Sequence, residues 1–331
     1  MIDRSVRIGV IGAGYWGSNL IRNCAELGVL DSVYDVDESA VEAARRAYPS
    51  IAAVTELEEL FSRPVNAVII AAPAKLHADI ALKAIAHGKH VFVEKPLALS
   101  VADGKQIERE ARAAGLTLFV GHLLFYHPAV KKLRSMIAEG VIGDIWHIRS
   151  RRLSLGRLRT EENVWWSFAP HDVALITAIF RDEPLRVTSA QSYGRGMPIS
   201  DVAYADFEFS NGRSAHIEVS WLDPDKTARL DIFGTRGVLT FIDSTNGSSL
   251  ALKPFMISTN DSGTPVAIRG EELNIEFEKV EPLKAEIEAF VDSIVYGRQP
   301  ETDARQGIAV LRVLSMADEA AHTKVVQEVS T

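Results

Sequence analysis

Three glycines, Gly12, Gly14 and Gly17, stand between an apolar run at residues 6–11 and an amphipathic stretch at 16–27. A chain that passes from a buried strand through Gly-x-Gly-x-x-Gly into a helix has few folds open to it. The first glycine permits a tight turn, the second lets backbone approach a ligand, and the third lets helix pack against strand. The helix start adds free N–H groups and the positive end of a helix dipole, which suits a pyrophosphate. The spacing therefore predicts dinucleotide binding at Gly12, Gly14, Tyr15, Trp16 and Gly17.

The residues that follow keep to this plan. Strand patterns at 30–35, 67–71, 90–93 and 117–121 alternate with helical patterns at 38–48, 77–87 and 100–114. Such alternation predicts an α/β fold with a parallel, doubly wound Rossmann sheet, binding ligands at the carboxyl ends of its strands. The second strand closes at Tyr34-Asp35. An acid there accepts hydrogen bonds from the adenosine ribose and repels a 2′-phosphate. Val36, Asp37 and Glu38 come next, with no arginine, so the expected cofactor is NAD rather than NADP. Asp37 also reads as an N-cap for the helix that starts at Glu38.

After residue 121 the pattern changes. Helical stretches at 128–138 and 170–179, the second begun by Pro170, flank a strand at 145–153. Strand patterns then dominate at 203–209, 214–221, 229–233 and 238–242, with Asn211-Gly212 as a hairpin turn between the first two. The expected second domain, residues 122–331, is α+β with a large, open, mostly antiparallel sheet. Residues 1–121 form the first domain. Residues 260–272 read as a polar surface loop, and 282–296 and 304–321 as helices.

Composition narrows the function. The formal net charge is −8 over 331 residues, which argues against a nucleic-acid binder. Cys24 is the only cysteine, so no intramolecular disulfide and no cysteine-built zinc site is expected. No apolar run approaches the roughly 18 residues of a membrane span. The N-terminus enters a strand without a signal-peptide pattern, and the expected location is cytoplasmic. His122 and His127 lack carboxylates at metal-ligand spacing, so no metal is expected.

Glu94-Lys95-Pro96 places a charged lysine at the end of a buried strand, where a parallel sheet holds its ligand. Ala72-Pro73-Ala74-Lys75-Leu76-His77 precedes it, and Gly88-Lys89-His90-Val91 leads into it. This ordered set closely resembles the glucose–fructose oxidoreductase/inositol dehydrogenase (Gfo/Idh/MocA) superfamily, over most of the chain. The resemblance implies hydride transfer between a nicotinamide and a carbinol carbon of a sugar or polyol. It implies that Lys95 contacts the reacting hydroxyl and that Ala72, Pro73, His77, Glu94 and Lys95 border the cofactor. It implies last helices that return to the N-terminal domain, and a homodimer or homotetramer built on the C-terminal sheets. Many members carry Asp-x-x-x-His on a helix facing the nicotinamide. Here His171 keeps its place and Ser167 replaces the Asp, leaving Lys95 and His171 as the acid/base pair. A histidine exchanges protons near neutral pH.

Within the family the chain looks most like enzymes of nucleotide-linked sugars. The implied reaction oxidises the C3 hydroxyl of a UDP-sugar, UDP-N-acetylglucosamine first, for later transamination in lipid A or surface-polysaccharide synthesis. The segment 154–163 would be a mobile loop over the pocket. His122, Tyr126, Arg152, Arg159, Asn163 and Trp165 join Lys95 and His171 as candidate substrate contacts. Arg149, Arg151, Arg152, Arg157 and Arg159 supply guanidinium groups for a diphosphate, though strand alternation points Arg149 and Arg151 one way and Arg152 the other. A solvated edge strand is the competing reading of that cluster, and core packing is the competing reading of Trp165 and Trp166. Three alternatives stay open: the UDP-N-acetylglucosaminuronate 3-dehydrogenase, a reductase of 3-keto sugar nucleotides, and a catalytically silent regulator. The uronate enzymes carry Asn at the position of Ser167 and lack the Tyr126-His127-Pro128 run, and Asp35 disfavours an NADPH-linked reductase.

Overall fold

The computed structural model describes residues 3, 5–155, 158–160, 162–196, 198–245, 247–323 and the backbone of 327–328. The chain divides into two compact units, each drawing on two stretches of chain. The first takes Met1–Tyr126 with Val280–Leu311, and the second takes His127–Lys279 with Arg312–Thr331.

In the first unit the chain runs β1 (Ile8–Ile11), α1 (Tyr15–Leu27), β2 (Leu30–Tyr34), α2 (Glu38–Ala47), β3 (Ala52–Val54), α3 (Leu57–Ser62), β4 (Ala67–Ile70), α4 (His77–Ala86), β5 (His90–Glu94), α5 (Val101–Ala113) and β6 (Leu118–Gly121). The six strands are all parallel, in the order β3-β2-β1-β4-β5-β6. The order reverses between β1 and β4, the crevice where such sheets bind ligands. β1 and β4 are buried at every position, as strands covered on both faces must be. Asp37 caps α2, accepting from Ser39 N at 2.9 Å, as its sequence position suggests. The short β3 and α3 escape sequence reading, because three and six residues are too few to show a period.

The second unit holds α6 (Pro128–Ala138), β7 (Ile145–Leu153), α7 (Val164–Phe180), β8 (Arg186–Ser192), β9 (Val202–Glu208), β10 (Ser214–Ser220), β11 (Thr227–Gly234), β12 (Gly237–Ser244), β13 (Gly247–Thr259), β14 (Pro265–Arg269) and β15 (Leu273–Asn274). The helices α8 (Pro282–Tyr296) and α9 (Ala304–Thr323) follow, and β16 (Gln327–Glu328) closes the chain's described part. Ten strands form one sheet in the order β14-β13-β12-β11-β7-β10-β9-β8-β16, with β15 beside β13. Only β7 and β10 pair in parallel, so the sheet is mixed and mostly antiparallel. The Asn211-Gly212 turn joins β9 to β10 with φ of 60° and 71°, the left-handed pair such hairpins require.

Two sequence expectations need correction here. Residues 260–272 are not all loop, since β13 and β14 make an exposed hairpin. Its turn is closed by the Asn260 side chain, which accepts from Ser262 N at 3.1 Å and Thr264 N at 2.9 Å. The helix carrying His171 does not begin at Pro170. It begins at Val164, and Pro170 lies inside it. Asn163 caps it by accepting from Trp166 N at 3.0 Å, and buried Val164, Trp165 and Ala169 hold the first turns in place.

Candidate active site

The first unit assembles the glycine loop. Gly12 has φ of 103°, and a Cβ there would lie 2.7 Å from the carbonyl of Ala71. A Cβ on Gly17 would lie 2.0 Å from the Gly12 oxygen. At Gly14 nothing lies within 4 Å, so space is open above the start of α1. Two glycines thus let chain segments touch, and the third leaves room for a ligand. Tyr15 and Trp16 flank the opening, 79% and 37% exposed. Asp35, just past β2, accepts from Ala13 N at 2.5 Å and Asp37 N at 2.9 Å. Its carboxylate therefore also braces the loop, a role sequence reading did not give it.

Glu94 ends β5 directly opposite Gly121 of β6. A Cβ on Gly121 would meet the Glu94 carboxyl carbon at 3.0 Å, so glycine is needed for the carboxyl to lie there. Trp16 Nε1 donates to Glu94 Oε1 at 2.6 Å, and Lys95 N donates to Oε2 at 3.3 Å. Burial pushes the Glu94 carboxyl up to about 7, against the Trp16 bond and the Lys95 charge. The Lys95–Pro96 peptide is cis. His77 is buried and spans two carbonyls, with Nδ1 2.7 Å from Pro96 O and Nε2 2.8 Å from Ala72 O. It ties the chain beyond β4 to the turn after Lys95. Lys89 donates to the carbonyls of Arg63 and Val65 at 3.2 and 2.9 Å, so this part of the family motif is structural.

His122 follows β6 and is buried. Burial first, then the Lys95 charge, takes its imidazole down to about 3, so it is neutral at ordinary pH. Tyr126 is the candidate for a substrate hydroxyl that precedes α6. Its buried phenol lies 3.0 Å from Thr302 Oγ1, and its ring stacks on Phe119 with centroids 5.5 Å apart.

In the second unit His171 lies in the second turn of α7, beside Asp172. Arg152 does not stand free for a diphosphate. Its Nε and Nη2 donate to Asp172 at 2.9 and 3.0 Å, and Ser150 Oγ donates to Asp172 at 2.7 Å. Arg149 points to the other sheet face, as alternation requires, and meets Asp231 at 2.9 Å. Arg159 pairs with Glu162 at 2.6 Å. Arg157, like Gly156 and Glu161 of the expected loop, lies outside the described residues. Trp165 is fully buried and donates to Leu314 O at 3.1 Å, so of its two readings the core one applies. Asn163 caps α7 and donates to Asp318 at 3.2 Å.

Asp172 and Glu286 are the groups sequence reading passed over. Both leave a signal, as carboxylates at buried positions of apolar helices, Glu286 one turn before Phe290. Among the described residues no group of His, Cys, Asp and Glu side chains is placed to hold a metal ion. No described helix is long and apolar enough to cross a membrane.

A glycine-looped parallel sheet followed by a large mixed sheet defines a two-part, dinucleotide-dependent oxidoreductase. Residues 6–122 match the GFO_IDH_MocA oxidoreductase family, NAD-binding Rossmann fold, and residues 130–240 match the GFO/IDH/MocA C-terminal domain. The chain belongs to the Gfo/Idh/MocA oxidoreductase family. It is 28% identical to the 2,7-anhydro-N-acetylneuraminate hydratase of Escherichia coli K12 over 64% of this chain, and the match spans only 61% of that relative. It is 28% identical to the UDP-N-acetylglucosamine 3-dehydrogenase of Acidithiobacillus ferrooxidans over 94% of this chain and 95% of that one. The solved structure of that dehydrogenase, GnnA, shares the fold with a TM-score of 0.84 at 23% identity, covering 96% of this chain and 98% of that one. GenD2 from gentamicin A biosynthesis, solved with NAD, shares it with a TM-score of 0.83 at 20% identity, covering 98% and 97%.

Proposed function

We propose that the protein oxidises the C3 hydroxyl of a UDP-sugar, UDP-N-acetylglucosamine first, with NAD as acceptor. The observation that carries this is the end-to-end likeness to a UDP-N-acetylglucosamine 3-dehydrogenase, 94% of one chain against 95% of the other. The open ground at Gly14 and the brace at Asp35 fit a dinucleotide. In this reading Gly12, Gly14, Tyr15, Trp16, Gly17 and Asp35 hold the cofactor, with Ala72, Pro73, His77 and Glu94 lining its far end. NAD supplies the hydride acceptor when bound.

Lys95 is the proposed group at the reacting hydroxyl, and His171 the second candidate to take its proton. A lysine at a strand's carboxyl end, with the Glu94 carboxyl at its backbone, can orient the alcohol and move a proton. The product, a 3-keto sugar nucleotide, suits a later transamination such as lipid A or surface-polysaccharide synthesis uses. A homodimer or homotetramer and a cytoplasmic location belong to the same proposal. A second reading follows from the hydratase relative, matched over 232 residues: the protein acts on an anhydro-sialic acid with no net change in the cofactor.

UDP-N-acetylglucosamine deuterated at C3 separates these. The proposal expects deuterium on the nicotinamide of NADH formed during turnover. Unlabelled NADH overturns the choice of carbon. Failure to form NADH with any UDP-sugar, together with turnover of the anhydro sugar, favours the second reading.

A further inference from the structure

His77 opens α4 and is buried. Its two ring nitrogens meet two carbonyl oxygens, Nδ1 at 2.7 Å from Pro96 O and Nε2 at 2.8 Å from Ala72 O. A carbonyl oxygen only accepts. A neutral imidazole has one N–H and one bare nitrogen, so it satisfies one of these oxygens and turns a lone pair on the other. A change of tautomer does not help, because either one faces the same two acceptors. Only the imidazolium, with a hydrogen on each nitrogen, donates to both.

We propose that His77 is held as an imidazolium and that it is a positioning residue for Lys95. Pro96 O belongs to the turn directly after Lys95, and Ala72 O to the chain just beyond β4. The ring therefore pins the segment that carries Lys95 to the neighbouring strand end. This rests on the reading of Lys95 as the group at the substrate hydroxyl.

Burial and the positive end of α4 oppose the charge, and two charge-assisted bonds favour it. The elements packed against α4 are β4, β5, α5 and the turn Ala74–Leu76. β4 is wholly apolar. Asp79 stands two places along α4, where helix side chains do not face one another. Glu94 of β5 takes the Trp16 Nε1 bond at 2.6 Å, and Asp103 of α5 takes Ser100 Oγ at 2.7 Å. Lys75, Lys83, Lys95 and Lys105 add positive charge and so oppose a further cation. The proton on the second nitrogen is thus held by carbonyl geometry rather than by a facing carboxylate.

The ring itself is read by long-range proton–nitrogen NMR of the ¹⁵N-labelled full chain at pH 7.5, its signals assigned by their absence in H77N. Both ring nitrogens should be protonated there, although an ordinary histidine has lost one hydrogen above about 6.5. A bare nitrogen at that pH overturns the imidazolium. Assignment through the His77 backbone serves if H77N fails to fold. Urea unfolding gives a second readout. A histidine that keeps its second proton only when folded stabilises fully below about 6.5 and loses that contribution as pH rises through the folded value. Above about 6.5 the wild-type folding constant should therefore drop by about tenfold per pH unit relative to H77N, until the folded value is passed. Parallel curves overturn the extra proton.

The positioning role is read by two near-isosteres. Asparagine puts an amide nitrogen near the place of Nδ1 and keeps a donor for Pro96 O; glutamine puts one near Nε2 and keeps a donor for Ala72 O. With UDP-N-acetylglucosamine and NAD, kcat should fall about tenfold further in H77Q than in H77N, at similar KM for NAD. Equal losses in the two overturn the positioning role, since lost bulk or stability strikes both alike. No turnover by wild type with any UDP-sugar removes the reading of Lys95 and the positioning role with it, while the ring signals and unfolding curves still decide the charge.

Discussion

Trp16 Nε1 donates to Glu94 Oε1 at 2.6 Å, linking the helix that opens at the glycine loop to the residue before Lys95. The two lie 78 positions apart in sequence. This bond adds a side-chain link between the proposed phosphate cradle and the proposed catalytic strand end, which the β1–β4 and β4–β5 ladders already hold in register.

Replacing Trp16 by Phe keeps the apolar bulk and removes the donor. A buried carboxyl left without its partner costs about 1–3 kcal/mol. Against burial, the Trp16 bond leads the Lys95 charge in lowering the Glu94 carboxyl, so W16F should raise it further. Urea unfolding at pH 8 reads the loss of stability. At pH 5, where Glu94 is protonated in both proteins, the difference should shrink.

The glycines should separate folding from binding. G17A forces a Cβ to 2.0 Å from a backbone oxygen and should abolish stable folding or shift the loop. G14A meets nothing within 4 Å in the protein, so its melting temperature should match wild type. Its NAD affinity, measured by calorimetry, should fall at least tenfold. Unchanged affinity in G14A would remove that residue from the cofactor site.

Arg152 and Asp172 form a buried pair, with side chains 19% and 3% exposed. Breaking a pair of this kind by removing one partner costs about 3–5 kcal/mol. R152M should therefore unfold at lower denaturant. A residue serving only a diphosphate would instead raise KM at unchanged stability, and that result would restore the sequence expectation for Arg152.

His122 supplies a pH prediction of definite sign. Its folded form resists protonation down to about 3, so the unfolded chain takes up a proton first. Stability from this group is present above the ordinary histidine value of 6.5 and is lost as pH falls towards 3. The slope approaches about 1.4 kcal/mol per pH unit. H122N should flatten the unfolding midpoint between pH 6 and 4, and an unchanged slope there would contradict a buried neutral imidazole.

Local pattern carried the first unit far. The glycine loop, the cofactor-side strands and Lys95 at a strand end all follow from apolar runs and their punctuation. Alternation along β7 also separated Arg149 from Arg152 correctly. What pattern could not carry were partners remote in sequence. The Tyr126 phenol turns to Thr302, 176 residues away, and Arg152 turns to Asp172. Those pairings engage groups that pattern alone offers as ligand contacts. Pro170 misled for a different reason. A proline is at home in a first helical turn, yet Asn163 starts α7 earlier, and tertiary burial of Val164 and Trp165 outweighs the one lost hydrogen bond.

The most direct test of the account is turnover of UDP-N-acetylglucosamine with NAD by the wild-type chain and by K95M, followed through the near-ultraviolet absorbance of NADH. The account predicts steady NADH formation in wild type and a loss of about 10²–10⁴-fold in kcat for K95M, the range for a missing proton-transfer group, with NAD affinity and unfolding midpoint retained. Near-normal turnover by a folded K95M would contradict it.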